Sequence, residues 1–116
     1  MKIIIVDDNM LTRSMIKDLL TEMGHQVLCE AENGNEAVQF YKERKPELML
    51  LDMIMPGKSG LDTLKEIKQF DPAARIVMVT AVQQDNMTQQ LLEAGAAAVL
   101  HKPFMYAELE EVLKKF

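Results

Sequence analysis

The 116-residue chain is predicted to fold as a doubly wound α/β domain, five βα units around a five-stranded parallel sheet. Three observations carry that prediction. Short apolar runs rich in β-branched residues recur along the chain. Amphipathic stretches with helical spacing lie between them. The third run, Leu48-Met49-Leu50-Leu51, is apolar at every position, as a strand covered on both faces requires.

Ile3–Val6 is the first strand, closed by Asp7-Asp8-Asn9. From Met10 to Met23, the residues Met15, Ile16, Leu19, Leu20 and Met23 recur at helical spacing, and Gly24 stands where a left-handed helix end is expected. Gln26–Glu30 is a weaker second strand, and Ala31 beyond it carries no chemistry. Asn33-Gly34-Asn35 is a turn, with Asn35 the predicted cap of a helix running through Lys45 and stopped by Pro46. The third strand ends at Asp52. Pro56-Gly57 and Ser59-Gly60 mark a loop. Leu61, Leu64, Ile67 and Lys68 then form a helix that stops near Asp71-Pro72. Ile76–Val79 is the fourth strand, ending at Thr80. A polar helix from Asp85 to Ala94 is closed by Gly95. Ala97–Leu100 is the fifth strand, broken by His101-Lys102-Pro103. The last helix carries Leu109, Val112, Leu113 and Phe116 on one face. Residues 1–116 make one domain, with no linker and no internal repeat beyond the βα rhythm.

The formal net charge of −5 argues against non-specific binding of nucleic acid or anionic membranes. No apolar run reaches the length of a membrane span, and the N-terminus is too short in apolar residues for a secretory signal, so the cytoplasm is the expected location. The single cysteine, Cys29, lies in an apolar run and reads as a buried thiol. The ten methionines are scattered through apolar positions and read as core filling.

In an open parallel sheet, ligands bind beyond the carboxyl ends of the strands. Asp7 and Asp8, Asp52, Thr80, and His101 with Lys102 stand at four of those ends. Three carboxylates converging there repel one another, and a hard divalent cation such as Mg²⁺ resolves the repulsion. Lys102 adds a compact positive charge and Thr80 a hydroxyl able to bond an oxyanion. Together they make a pocket for a phosphoryl group in transfer, with a carboxylate, Asp52, as nucleophile. Each element alone is an ordinary loop feature; it is their joint occurrence that is specific.

Nearly the whole chain resembles the CheY-like receiver domains of two-component response regulators. The likeness rests on IIIVDDN at 3–9, LMLLDMIMPGKSG at 48–60, VMVTA at 77–81 and HKPF at 101–104. It implies strand order 2-1-3-4-5, the flavodoxin-like arrangement. It implies phosphorylation of Asp52 by a histidine kinase or phosphotransferase. It places Mg²⁺ on Asp7, Asp8, Asp52 and the backbone carbonyl of Ile54, and pairs Lys102 with the phosphoryl oxygens. Thr80 becomes the switch hydroxyl, Ala81 the small neighbour that leaves room, and Lys102–Pro103 a cis bond. The output surface is the face of the fourth helix, fifth strand and fifth helix, with Met105 and Tyr106 as apolar anchors and a protein partner as the target. The protein is then a monomer or a phosphorylation-dependent dimer, without direct nucleic-acid contact or membrane insertion.

Two positions depart from or qualify the pattern. Val99 stands where many relatives carry an aromatic residue, and a β-branched side chain has no large rotamer swing. Ile54 and Val82 are apolar where relatives border the attacking water, which predicts slow autodephosphorylation. His25, at a helix end, is expected on the surface at a place that suits an imidazolium. His101 should point away from Lys102 by strand alternation. The glutamines at 83, 84, 89 and 90 make a solvated face or a partner surface.

A stand-alone regulator is the expected form; the alternative is a receiver excised from a longer DNA-binding regulator or hybrid kinase. A flavin carrier on the same architecture is disfavoured, because Asp7-Asp8-Asn9 would repel a phosphate. A turnover phosphatase would want a second acid where Ile54 stands. The protein is expected to be a phosphoacceptor switch, limited to self-phosphorylation and autodephosphorylation.

Overall fold

Isoleucine and valine at every position after Lys2 open the chain as strand β1 (Lys2–Val6) in the computed structural model, which describes residues 1–82 and 84–116. Then follow α1 (Met10–Glu22), β2 (Gln26–Ala31), α2 (Gly34–Arg44), β3 (Leu48–Asp52) and α3 (Gly60–Phe70). The chain continues through β4 (Ile76–Thr80), α4 (Asp85–Glu93), β5 (Ala98–His101) and α5 (Tyr106–Leu113). The strands form one parallel sheet in the order β2-β1-β3-β4-β5. The predicted fold class and order are both present.

Side-chain alternation along the strands divides the core into two layers. Ile3, Ile5, Leu48, Leu50, Val77, Val79 and Leu100 pack with Ile16 and Leu20 of α1 and Leu109 and Leu113 of α5. Ile4, Val6, Met49, Leu51, Ile76 and Met78 pack with α2, α3 and Leu91 of α4. Both faces of β1, β3 and β4 are covered, which is why those strands are apolar throughout.

Several boundaries differ from expectation for identifiable reasons. Asn33, not Asn35, caps α2: its side-chain oxygen accepts the Glu36 N–H at 2.8 Å, and Asn35 sits inside the first turn. β5 runs Ala98–His101 because the strand pairing with β4 continues through Thr80 and His101. Phe116 lies beyond α5, although it still packs on the α1/α5 layer. Gly24 has φ +88°, as expected at that helix end.

Cys29 is half-buried and not fully enclosed, and burial raises its thiol pKa. His25 departs further. Its Nδ1 lies 2.9 Å from the Met1 ammonium, and burial together with that cation lowers its pKa despite the opposing charge of Glu47. Facing that cation, Nδ1 is placed to accept a hydrogen bond, an arrangement that disfavours the imidazolium. His101 behaves as expected: its Nε2 meets Thr88 Oγ1 of α4 at 3.4 Å, away from Lys102. Gln84 immediately precedes α4, and Gln89 and Gln90 lie on it, while Gln83 lies outside the described residues. Among the described residues no helix is long and apolar enough to cross a membrane.

Candidate functional site

Parallel register brings the strand ends together. Val6 lies beside Leu51, Asp52 beside Val79, and Thr80 beside His101. The groups that follow these positions therefore share one end of the sheet. Carboxylate oxygens of Asp7, Asp8 and Asp52 lie within 4.8 Å of one another. Asp7 and Asp52 are buried, and Asp8 is exposed to solvent.

Each acidic group is placed by backbone chemistry. The Asp7 N–H donates to the carbonyl of Ala31 at 3.0 Å, so the end of β2 has a structural role although it carries no chemistry. Asp7 Oδ1 accepts the Asn9 N–H at 2.8 Å. Asn9 in turn caps α1, its Oδ1 accepting from Leu11 and Thr12 N–H at 2.9 and 3.1 Å. Asp52 closes β3, and Gly60 at the start of α3 packs directly on the backbone there. The Gly60 N–H donates to the Met53 carbonyl at 2.8 Å. A side chain at Gly60 would place its Cβ 2.3 Å from the Asp52 carbonyl oxygen.

Lys102 reaches across from the end of β5. Its Nζ donates to Asp7 Oδ2 at 2.8 Å and to Asp52 Oδ1 at 3.4 Å. The Lys102–Pro103 bond is cis, as expected, and the Lys102 N–H donates to the Thr80 carbonyl at 2.8 Å. Burial works against the Lys102 ammonium, but the hydrogen bond to Asp7 and the charge of Asp52 outweigh it and raise its pKa. Burial and the adjoining Asp7 carboxylate push the Asp52 pKa up, against the pull of Lys102 and the Ile54 N–H. The site thus holds three carboxylates against one ammonium, with Asp52 bearing the cost. The donor set is wholly hard oxygen, two of its members are buried, and one opens to water. It fits a small divalent cation that retains part of its hydration.

Thr80 is buried at the end of β4, and its Oγ1 accepts the Val82 N–H at 3.0 Å, which leaves its O–H to donate. Ala81 is exposed beside it. Ile54 is 63% exposed at the rim, and Val82 is half-buried. Val99 packs on the α2–α4 layer, on the face of β5 turned toward α4. Met105 is exposed and Tyr106 half-buried at the start of α5, so only the first of the two expected anchors stands clear of the surface.

One residue beside the site has no signal in the spacing. The Arg13 guanidinium of α1 donates from Nη1 to the Asp7 carbonyl at 2.6 Å and from Nε to Glu30 Oε1 at 3.1 Å. Its partners lie 6 and 17 residues away, on two different strands' ends, and only the β1–β2 pairing brings them together.

The sequence model described as "Response regulator receiver domain" matches residues 3–114. The chemotaxis protein CheY of Bacillus subtilis is 45% identical over 98% of this chain and 95% of its own length. Sporulation initiation phosphotransferase F of the same organism is 35% identical over 99% of this chain and 92% of its own. Among solved structures, the CheX–CheY–BeF3–Mg²⁺ complex from Borrelia burgdorferi superposes with a TM-score of 0.96. It shares 28% identity and covers 98% of this chain and 87% of the matched one.

Proposed function

The chain belongs to the response-regulator receiver family of two-component signalling, and from that premise we propose that Asp52 is its phosphoryl acceptor. The observation that carries this is the meeting of Asp7, Asp8 and Asp52 within 4.8 Å under a single lysine. Receiver domains are phosphoacceptor switches rather than enzymes of turnover, and residues 1–116 form one such unit. Asp7, Asp8, Asp52 and the carbonyl of Ile54 hold Mg²⁺ in this proposal. The cation neutralises charge on the phosphoryl oxygens when bound.

A carboxylate oxygen of Asp52 attacks the phosphorus of a phosphohistidine on a kinase or phosphotransferase. The O–P bond forms as the N–P bond breaks, and the leaving imidazole takes a proton from water. Lys102, already between Asp7 and Asp52, is within a side-chain rotation of an oxygen attached at Asp52. Its charge favours the product there, because the added group brings negative charge to an ammonium that already faces two carboxylates. The Thr80 O–H donates to a second phosphoryl oxygen, and the exposed, small Ala81 leaves space for the group.

Release of Asp7 by Lys102 and movement of Thr80 with the following loop carry the signal to α4, β5 and α5. Val99 has little rotamer freedom, so backbone displacement at Thr80 carries more of the change than a side-chain swing would. Met105, with Tyr106 and the polar face of α4, presents the surface that a downstream protein reads. The protein acts in the cytoplasm, as a monomer or a phosphorylation-dependent dimer. Identities of 45% and 41% to chemotaxis proteins favour a CheY-like regulator, and the alternative is a receiver from a longer DNA-binding regulator or hybrid kinase.

Incubation with acetyl phosphate and Mg²⁺ tests the proposal by intact mass. One phosphoryl adduct per chain is expected, absent with EDTA and absent in Asp52→Asn. An adduct that persists in Asp52→Asn, or sustained phosphate release over many turnovers, overturns it.

A further inference from the structure

We infer that Arg13 is a positioning residue for the acid pair, acting through the peptide that joins Asp7 to Asp8. The inference rests on the proposed Mg²⁺ site. The oxygen that Arg13 Nη1 holds at 2.6 Å is the carbonyl of Asp7, which belongs to that peptide. The plane of a peptide sets where the next Cα and its side chain point. Asp7 has further supports for its carboxylate, from the Asn9 N–H and Lys102. Asp8 is exposed, and the orientation of the preceding peptide is what aims it.

Arg13 is itself held. Its Nε donates to Glu30 Oε1 at 3.1 Å, and Lys17 Nζ approaches the other Glu30 oxygen at 3.9 Å. The guanidinium side chain is 13% exposed, so its fork is fixed between two acceptors rather than moving in solvent. Glu30, at the edge strand, thus sets Arg13, and Arg13 sets the turn that presents both acids.

The sign of the effect separates geometry from charge. A cation near the metal site repels Mg²⁺, so if Arg13 acted only through its charge, Arg13→Ala would tighten binding. If it positions the acids, Arg13→Ala weakens binding, by about tenfold, the low end for groups that orient ligands from behind. Arg13→Lys keeps the charge and stem but cannot serve both acceptors as a planar fork. It is expected to bind about threefold more weakly, whereas a charge-only role leaves it unchanged.

The test is an NMR titration of the unphosphorylated protein with MgCl₂, following backbone amides. Wild type, Arg13→Ala, Arg13→Lys and Asp8→Asn are compared. The metal-free spectra of both Arg13 variants should also shift the Asp8 and Asn9 amides. With acetyl phosphate, the Mg²⁺ concentration giving half-maximal phosphorylation should rise while the rate at saturating Mg²⁺ stays near wild type. A variant that only lost stability would lower the melting temperature without moving the Mg²⁺ midpoint. Should Arg13→Ala fail to fold, Arg13→Lys alone decides. Affinities within twofold of wild type, or tighter binding in Arg13→Ala, overturn the inference. Absence of saturable binding in wild type, or binding unaffected by Asp8→Asn, overturns the metal site itself and the inference with it.

Discussion

Adding one methyl group at Gly60 should slow the chemistry at Asp52 by more than its cost to the stability of the fold explains. The Cβ of Gly60→Ala would sit 2.3 Å from the Asp52 carbonyl oxygen, 0.7 Å short of the 3.0 Å that real Cβ contacts keep. It would also stand 2.6 Å from Met53 Cα. Both neighbours are backbone, so no side chain can swing aside. Either α3 must retreat or the end of β3 must move, and the hydrogen bond from Gly60 N–H to the Met53 carbonyl ties the two together. Overpacking of this kind costs about 1–3 kcal/mol in stability. Misplacement of a reacting group by about 1 Å can slow a reaction ~100-fold, so a shift of this size should slow phosphorylation of Asp52 by roughly 10–100-fold. The assay is the initial rate of phosphorylation by acetyl phosphate at saturating Mg²⁺ and 25 °C. Gly24→Ala is the control. Its φ of +88° strains any side chain, but nothing lies within 4 Å of the added Cβ, and it stands at the opposite end of the sheet. That variant should lose about 1–2 kcal/mol and phosphorylate at the wild-type rate. A Gly60→Ala protein that melts lower yet phosphorylates within twofold of wild type would refute the claim that this contact sets the position of Asp52.

Asp52→Asn should melt higher than wild type in EDTA, by about 2–5 °C, because burial and Asp7 both disfavour the ionised carboxylate. An unchanged or lowered melting temperature at pH 7.5 would contradict that repulsion. Replacing Ile54 and Val82 together by Asn and Gln should shorten the half-life of phosphorylated Asp52 by about tenfold, since polar groups at the rim can orient an attacking water. The lifetime is read by phosphate release after removal of the donor, and an unaltered half-life would dismiss this account. His25 should make stability fall as pH drops. Its folded pKa lies below the unfolded value of 6.5, so below pH 6.5 the unfolded chain takes up a proton that the folded state resists. Stability is retained above that value and lost as pH falls toward the folded pKa. Urea unfolding at pH 7.5 and 5.0 should show a smaller loss in His25→Gln than in wild type; equal losses would show that the ring does not contribute.

The parallel sheet was legible because the strands declare themselves, whereas its order came from the family resemblance alone. β3 is apolar at four consecutive positions before Asp52, which only a strand covered on both faces tolerates. The acidic and basic members of the site were legible for a related reason. In a parallel sheet every strand points the same way, so residues that follow strands in sequence meet in space. Asp7, Asp8, Asp52, Thr80 and Lys102 could therefore be grouped without knowing any distance. Arg13 could not. Its role depends on a long side chain folding back against the chain direction toward Asp7 and Glu30. His25 was misjudged for a similar reason. The helix end suggested a cation, but the Met1 ammonium already occupies that corner and turns the ring into an acceptor. Asn33 displaced Asn35 as the cap because the two share one short polar turn, and only backbone angles choose between them.

The bond from the Lys102 N–H to the Thr80 carbonyl has a consequence for how information leaves the site. The residue that answers to charge and the residue that answers to shape are joined at one backbone junction, where the β4 and β5 ends meet. In the proposed role, any backbone displacement at Thr80 is passed directly to the residue that carries the ammonium. The two responses to a group attached at Asp52 then reinforce each other through a single backbone bond.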